Sequence, residues 1–167
     1  MKRKVLALMV LMLVLIAFGL AKTTNRPNTL AEKIQKASAL LLDSEKSEDK
    51  TQGFLLLVES IDLAGAGGSF PAGFQDEVRG ALEIFRKGSS ILDQQAADKL
   101  RKAYVLLNAG KPFQMPAEIS SLDQAVEYGR TQINSALAQV KAGRNTDAVK
   151  PLLEVILMVI TPMEAQG

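Results

Sequence analysis

The chain contains no cysteine, no histidine and no tryptophan, and only two tyrosines among its 167 residues. The lack of cysteine rules out disulfide staples, zinc–thiolate sites, c-type haem attachment, a cysteine nucleophile and a lipid-modified cysteine behind a leader. The lack of histidine rules out Ser–His–Asp triads, imidazole-held metals, His-ligated haem and Glu-x-x-His di-iron sites. No catalytic, cofactor-binding or metal-binding pattern stands out in what remains. The sequence therefore reads as a protein that is not an enzyme and uses no cofactor or metal.

Excess positive charge is also missing where a nucleic acid would need it. The first 21 residues hold three of the 20 basic residues and none of the 18 acidic ones. The remaining 146 residues carry 17 basic against 18 acidic, a net −1. A domain with that balance has little to gain from displacing counterions, so nucleic acid is not an expected partner.

One long apolar run is present, at the start. Lys2, Arg3 and Lys4 precede residues 5–21, 17 positions without a charge. A spanning helix needs about 20 apolar residues, with roughly 17 as the lower limit. A secretory core usually has about 7–15 and ends at small residues. Gly19 and Ala21 place small residues at the −3 and −1 positions of a cut after Ala21, and "KTTNRPNT" behind them is polar and carries Pro27. The expectation is a signal peptide over 1–21, with an uncleaved anchor as the alternative and the only route to the membrane. An extended linker follows over 22–28 and a bundle domain over 29–163. Either way the basic flank stays inside and the domain is exported, to the periplasm or the exterior.

From Thr29 onward the periodicity is helical. Thr29 and Glu32 form a capping box, and Leu30, Ile34, Ala37 and Leu41 share a face. "DSEKSEDK" (43–50) reads as a charged break before a second helix over 51–64, and "GAGGSFPAG" (65–73) is the strongest breaker in the chain. A third helix over 74–87 aligns Phe74, Val78, Ala81, Leu82 and Phe85, with Gly88 at its C′ position. Ser90 with Asp93 resembles the cap of a fourth, which runs to Ala109 with Ala97, Leu100, Tyr104 and Leu107 inward and stops at Gly110 and Pro112. A fifth helix over 117–142 steps through Ile119, Leu122, Val126, Gly129, Ile133, Ala136 and Val140, with Gly129 suited to close approach of a neighbour. The sixth begins near Thr146, with Pro151 delaying or kinking it. "ALAQVKAGRNTDAVKPLLEV" (136–155) resembles the turn inside a tetratricopeptide repeat, but it occurs once, without the family's recurrence of about 34 residues. It reads as an ordinary helical hairpin. The prediction is an all-α, mostly antiparallel bundle of five or six helices, because short connections make sequential helices antiparallel.

Three motifs invite chemistry and fail on spacing. "GAGGS" has Phe70 where a dinucleotide fingerprint needs its third glycine. Ser47 and Lys50 spell S-x-x-K, but they sit in a charge run expected to be solvated and lack the companion motifs. An EF-hand starting at Asp43 would need Gly at 48 and Glu at 54, where Glu48 and Phe54 stand. Glu59, Asp62, Asp76 and Glu77 are carboxylates for a possible hydrolase, with no spacing that singles out a pair.

"PLLEVILMVI" (151–160) is the most informative stretch after the leader. Only Glu154 interrupts it, whereas a surface helix should show a polar face. It is either the central helix of the bundle or a helix with one side open to a partner or ligand. The candidate contact residues are Leu152, Leu153, Ile156, Leu157, Val159 and Ile160. Phe113 and Met115 in the loop "GKPFQMP" join them, either as lids on the core or as anchors on a partner. Two functions follow as expectations: binding of an unidentified protein partner, or carriage of a small apolar ligand or lipid between the helices.

Overall fold

The computed structural model describes residues 29–88, 90–91 and 93–161. The leader, the linker and the residues after Thr161 lie outside them. The described residues form six α-helices and no strand: α1 Leu30–Ser38, α2 Ser47–Gly65, α3 Phe74–Arg86, α4 Gln94–Leu107, α5 Leu122–Lys141 and α6 Val149–Ile160. The all-α bundle read from the sequence is the observed fold.

α1 starts on the predicted capping box. The Glu32 amide donates to Thr29 Oγ1 and the Thr29 amide to Glu32 Oε2, both at 3.1 Å. Its last turn widens to π geometry over Ala39–Asp43. The break then lasts only from 44 to 46, because α2 begins at Ser47 and absorbs most of the charge run. Glu48 and Asp49 fall in its first turn, where acids oppose the helix dipole, and Ser44 Oγ donates to Asp49 Oδ2 at 2.6 Å. Those charges therefore favour a helix start as much as a loop. Farther along α2, Gly53 allows the two helices to touch. A Cβ there would stand 2.6 Å from the Leu41 nitrogen and 2.8 Å from the Ala37 carbonyl oxygen.

α3 buries Phe74, Val78, Ala81, Leu82 and Phe85, the face its spacing predicts. Gly88 follows at φ +86, a backbone conformation that costs other residues and suits a C′ glycine. The N-cap of α4 is Asp93. Its Oδ1 accepts from the amides of Gln95 and Ala96 at 3.0 and 3.1 Å, so the helix starts at Gln94.

Cross-helix pairs fix the directions. Lys33 meets Glu59, Asp62 meets Arg79, and Glu77 meets Lys99, so α1 to α4 alternate as expected from their short connections. α5 breaks the pattern. Tyr104 of α4 and Asn108 just after it meet Glu154 and Lys150, while Gly129 of α5 lies against Val155 and Met158 and the C-terminal end of α5 packs on the turn before α6. Both α4 and α5 thus run opposite to α6, and so parallel to each other. Residues 108–121 must travel back along the bundle as a strap.

α6 occupies the centre, packed against α2, α4 and α5. Leu152, Leu153, Val155, Ile156 and Leu157 are completely buried. Eight of its twelve residues are buried, which explains the small polar face, and each fully buried apolar side chain contributes about 1.5–3 kcal/mol relative to exposure. A 3-10 turn at Asn145–Ala148 precedes the helix, so Pro151 is its third residue. Its missing N–H therefore falls among first-turn amides that have no intrahelical acceptor, and the helix starts later than Thr146 rather than kinking.

Candidate functional site

The residues singled out in the last helix do not form an accessible face. Leu152, Leu153, Ile156 and Leu157 have no exposure, Ile160 has 6% and Val159 is half-buried. Phe113 and Met115 are half-buried and sit on the strap. Phe113 meets the edge of Tyr104, ring centroids 5.7 Å apart and 89° between planes. Met115 packs with Tyr128 on a small satellite core of Ile119, Ala125 and Met158. These two side chains thus hold the strap to the bundle, Met115 on the satellite core and Phe113 on both that core and the main one.

Glu154, the lone charge in α6, has a specific environment. Tyr104 Oη donates to its Oε1 at 3.0 Å from α4, and Tyr128 Oη donates to its Oε2 at 3.3 Å from α5. Both tyrosines of the chain are therefore spent on one carboxylate. Burial pushes the Tyr104 hydroxyl well above its ordinary 10, helped by the hydrogen bond to Glu154. Burial and the charge of Glu154 push Tyr128 up to about 12. The cluster joins α4, α5 and α6 beneath the strap.

The remaining carboxylates mostly link helices. Glu59 Oε2 accepts from Lys33 at 2.6 Å and Oε1 from Arg86 at 3.1 Å. Burial works to raise its pKa, but the bonds and charges of Lys33 and Arg86 outweigh it and hold it below the ordinary value. Hydrogen bonding from Lys102, with Lys99 beside it, likewise holds Glu77 down. Asp62 pairs with Arg79 at 2.9 Å. Asp76 is exposed in the first turn of α3. Three of the four candidates for hydrolysis thus serve as ties between α1, α2, α3 and α4. Lys50 departs from expectation. It is half-buried in the first turn of α2 rather than solvated, and burial lowers its pKa while Glu45 opposes the shift. Among the described residues, no three acidic side chains gather in a metal-holding group, and no helix is long and apolar enough to cross a membrane.

An open concavity lies at the other end of the bundle from the strap's satellite core. It is an open depression of about 540 Å³, lined by Ser69, Phe70, Pro71, Leu107, Thr146, Asp147 and Lys150. Three separate segments build it: the "SFP" part of the α2–α3 loop, the end of α4, and the turn leading into α6. Phe70 is fixed by stacking on the buried Phe74, centroids 4.8 Å apart and 21° between planes. Gly68 lets the loop reach the turn, since a Cβ there would stand 2.5 Å from Thr146 Cγ2. At the rim, Arg144 Nε lies 3.5 Å from Asp147 Oδ2, and Lys150 Nζ donates to Asn108 Oδ1 at 2.9 Å. The loop was legible as a loop, but nothing in the sequence marked Leu107 or residues 146–150 as its partners. No protein-family model, no curated protein and no solved structure matches this chain.

Proposed function

We propose that this chain is an exported, non-enzymatic helical protein that acts by binding another protein in the cell envelope or outside the cell. Export rests on the leader pattern of residues 1–21. The observation that carries the binding reading is the open groove of Phe70, Pro71 and Leu107 rimmed by Ser69, Thr146, Asp147 and Lys150. Its open side and mixed polar and apolar lining suit a segment of polypeptide that enters and leaves at the surface. A carrier needs a lined cavity reaching residues 152–160, and this groove does not border them. The carboxylates held in interhelical ion pairs support a structural role for those residues over a catalytic one.

Native mass spectrometry of the protein taken from its own host's envelope tests the reading. A protein-sized mass addition that disappears in Phe70→Asp supports it. An addition of a few hundred daltons supports the carrier instead, and a bare monomer overturns both.

A further inference from the structure

We propose that the groove captures the free C-terminal carboxylate of a partner polypeptide whose last side chain is apolar. This inference rests on the binding function above. The argument starts from charge. Two charged side chains line the groove, and their situations differ. Asp147 is matched by the Arg144 guanidinium at 3.5 Å. Lys150 donates to Asn108 Oδ1, the oxygen of a neutral amide, which positions the ammonium without neutralising it. Asn108 is itself held, since its Nδ2 donates to the Lys111 carbonyl at 3.2 Å. The uncompensated charge in the groove is therefore one cation, exposed and oriented by a single hydrogen bond, with two of its three N–H donors free of Asn108. Ser69 and Thr146 line the same groove, and their hydroxyls are further donors for an anion.

The floor supplies the second requirement. Phe70, Pro71 and Leu107 form an apolar surface next to that cation, and Phe70 is immobilised on Phe74. A C-terminal residue carries its carboxylate and its side chain on the same Cα, so one residue can satisfy both the cation and the floor. The rest of the chain leaves through the open side. A volume of about 540 Å³ falls within the usual range of ligand clefts, about 300–1,000 Å³. Capture of a terminal carboxylate is a recurring mode of peptide recognition.

A peptide library displayed with free C-termini, panned against the full chain, provides the test. The selected peptides are expected to end in an apolar residue. Remade as C-terminal amides they should bind about tenfold to a hundredfold more weakly, since a bond to a charged group is removed. Lys150→Gln should weaken the free-acid peptides similarly, Lys150→Arg should retain them, and Lys87→Gln, outside the groove, should change nothing. Circular dichroism melts of each variant separate lost binding from lost folding. Selected peptides that bind equally as amides, or a library that yields no binder, would overturn the inference. So would N-acetyl-leucine binding as tightly as the peptides, which would assign the groove to a small acid. A protein partner found by native mass spectrometry that binds Lys150→Gln undiminished would sink this inference alone. The lack of any protein adduct would sink the binding function itself.

Discussion

Gly53 and Gly129 both sit inside helices, yet replacing each by alanine should have opposite effects. In an open helix the change gains about 1 kcal/mol from helix propensity. At Gly53 the new Cβ would lie 2.6 Å from the Leu41 nitrogen, 2.8 Å from the Ala37 oxygen and 3.0 Å from Leu40 Cβ. Two of these are main-chain atoms of α1 and its π turn and cannot swing aside. Ordinary contacts of this kind need about 3.5 Å, so α1 must retreat by roughly 1 Å and loosen Ile34, Ala37 and Leu41. Overpacking of that sort costs about 1–3 kcal/mol, which exceeds the propensity gain. At Gly129 the nearest atom is Met158 Cε at 3.2 Å, then Leu42 Cδ2 at 3.6 Å and Val155 Cγ1 at 3.9 Å. The first is the end of a flexible side chain and can yield, so most of the gain of about 1 kcal/mol survives. Urea unfolding followed by far-ultraviolet circular dichroism reads both. Gly53→Ala should lower the midpoint and Gly129→Ala should raise it or leave it unchanged, with similar slopes. Midpoints that move together, or a stabilised Gly53→Ala, would refute the contact geometry assigned to α1 and α2.

Other consequences concern polar groups. Tyr104→Phe should destabilise by about 1–2 kcal/mol and Tyr128→Phe by less, because the first bond to Glu154 is shorter and more enclosed; urea unfolding of the two variants checks the order. Tyrosinate absorbance should show both hydroxyls ionising above their ordinary 10 in the folded chain. Since the folded state keeps those protons longer, stability should decline as pH rises from about 10 towards 12. Glu59 has the opposite sign. Its folded pKa lies below the ordinary 4.5, so its contribution is present above that value and is lost as pH falls through the lowered one. In Glu59→Gln, acid titration of stability should be flatter. Gln75 has both side-chain amide atoms buried, against Gly65, with no hydrogen-bond partner among the described residues. Gln75→Leu should therefore raise the melting midpoint, by about 1–2 kcal/mol of stability; a lowered midpoint would mean the amide is satisfied.

How much the sequence disclosed depended on whether the determinant was local. The Thr29–Glu32 box, the Phe74–Phe85 face and the Gly88 stop depend on neighbours within one or two turns, and the structure has all three. The stripe of α5 was displaced. Its predicted line ran through Ile119, Leu122, Val126, Gly129, Ile133, Ala136 and Val140, but Ser121 caps the helix, so Ile119 belongs to the strap. The buried line is Ala125, Gly129, Ile133, Ala136 and Leu137, because α5 packs against α1 and α6 together and presents the face between them. Leu122 and Val126 are left half-buried. The charge run at 43–50 was misread because acids suit both loops and helix starts. The direction of α5 is not encoded in periodicity, and Phe113, Met115 and Ile119 acquire their meaning only once the strap has to run back along the bundle. The groove was least legible of all. Its lining comes from residues 69–71, 107 and 146–150, which only the packing of three segments brings together.

The central claim is that this domain keeps α6 enclosed and works through the groove at the loop end. Photo-crosslinking in the host's envelope, with p-benzoylphenylalanine in place of Ser69 or of Thr131, tests it most directly. Ser69 lines the groove, and Thr131 is exposed on α5 away from it. The account predicts a discrete protein-sized adduct from the Ser69 position and none from the Thr131 position. Equal adducts from both positions, or an adduct from Thr131 alone, would contradict it.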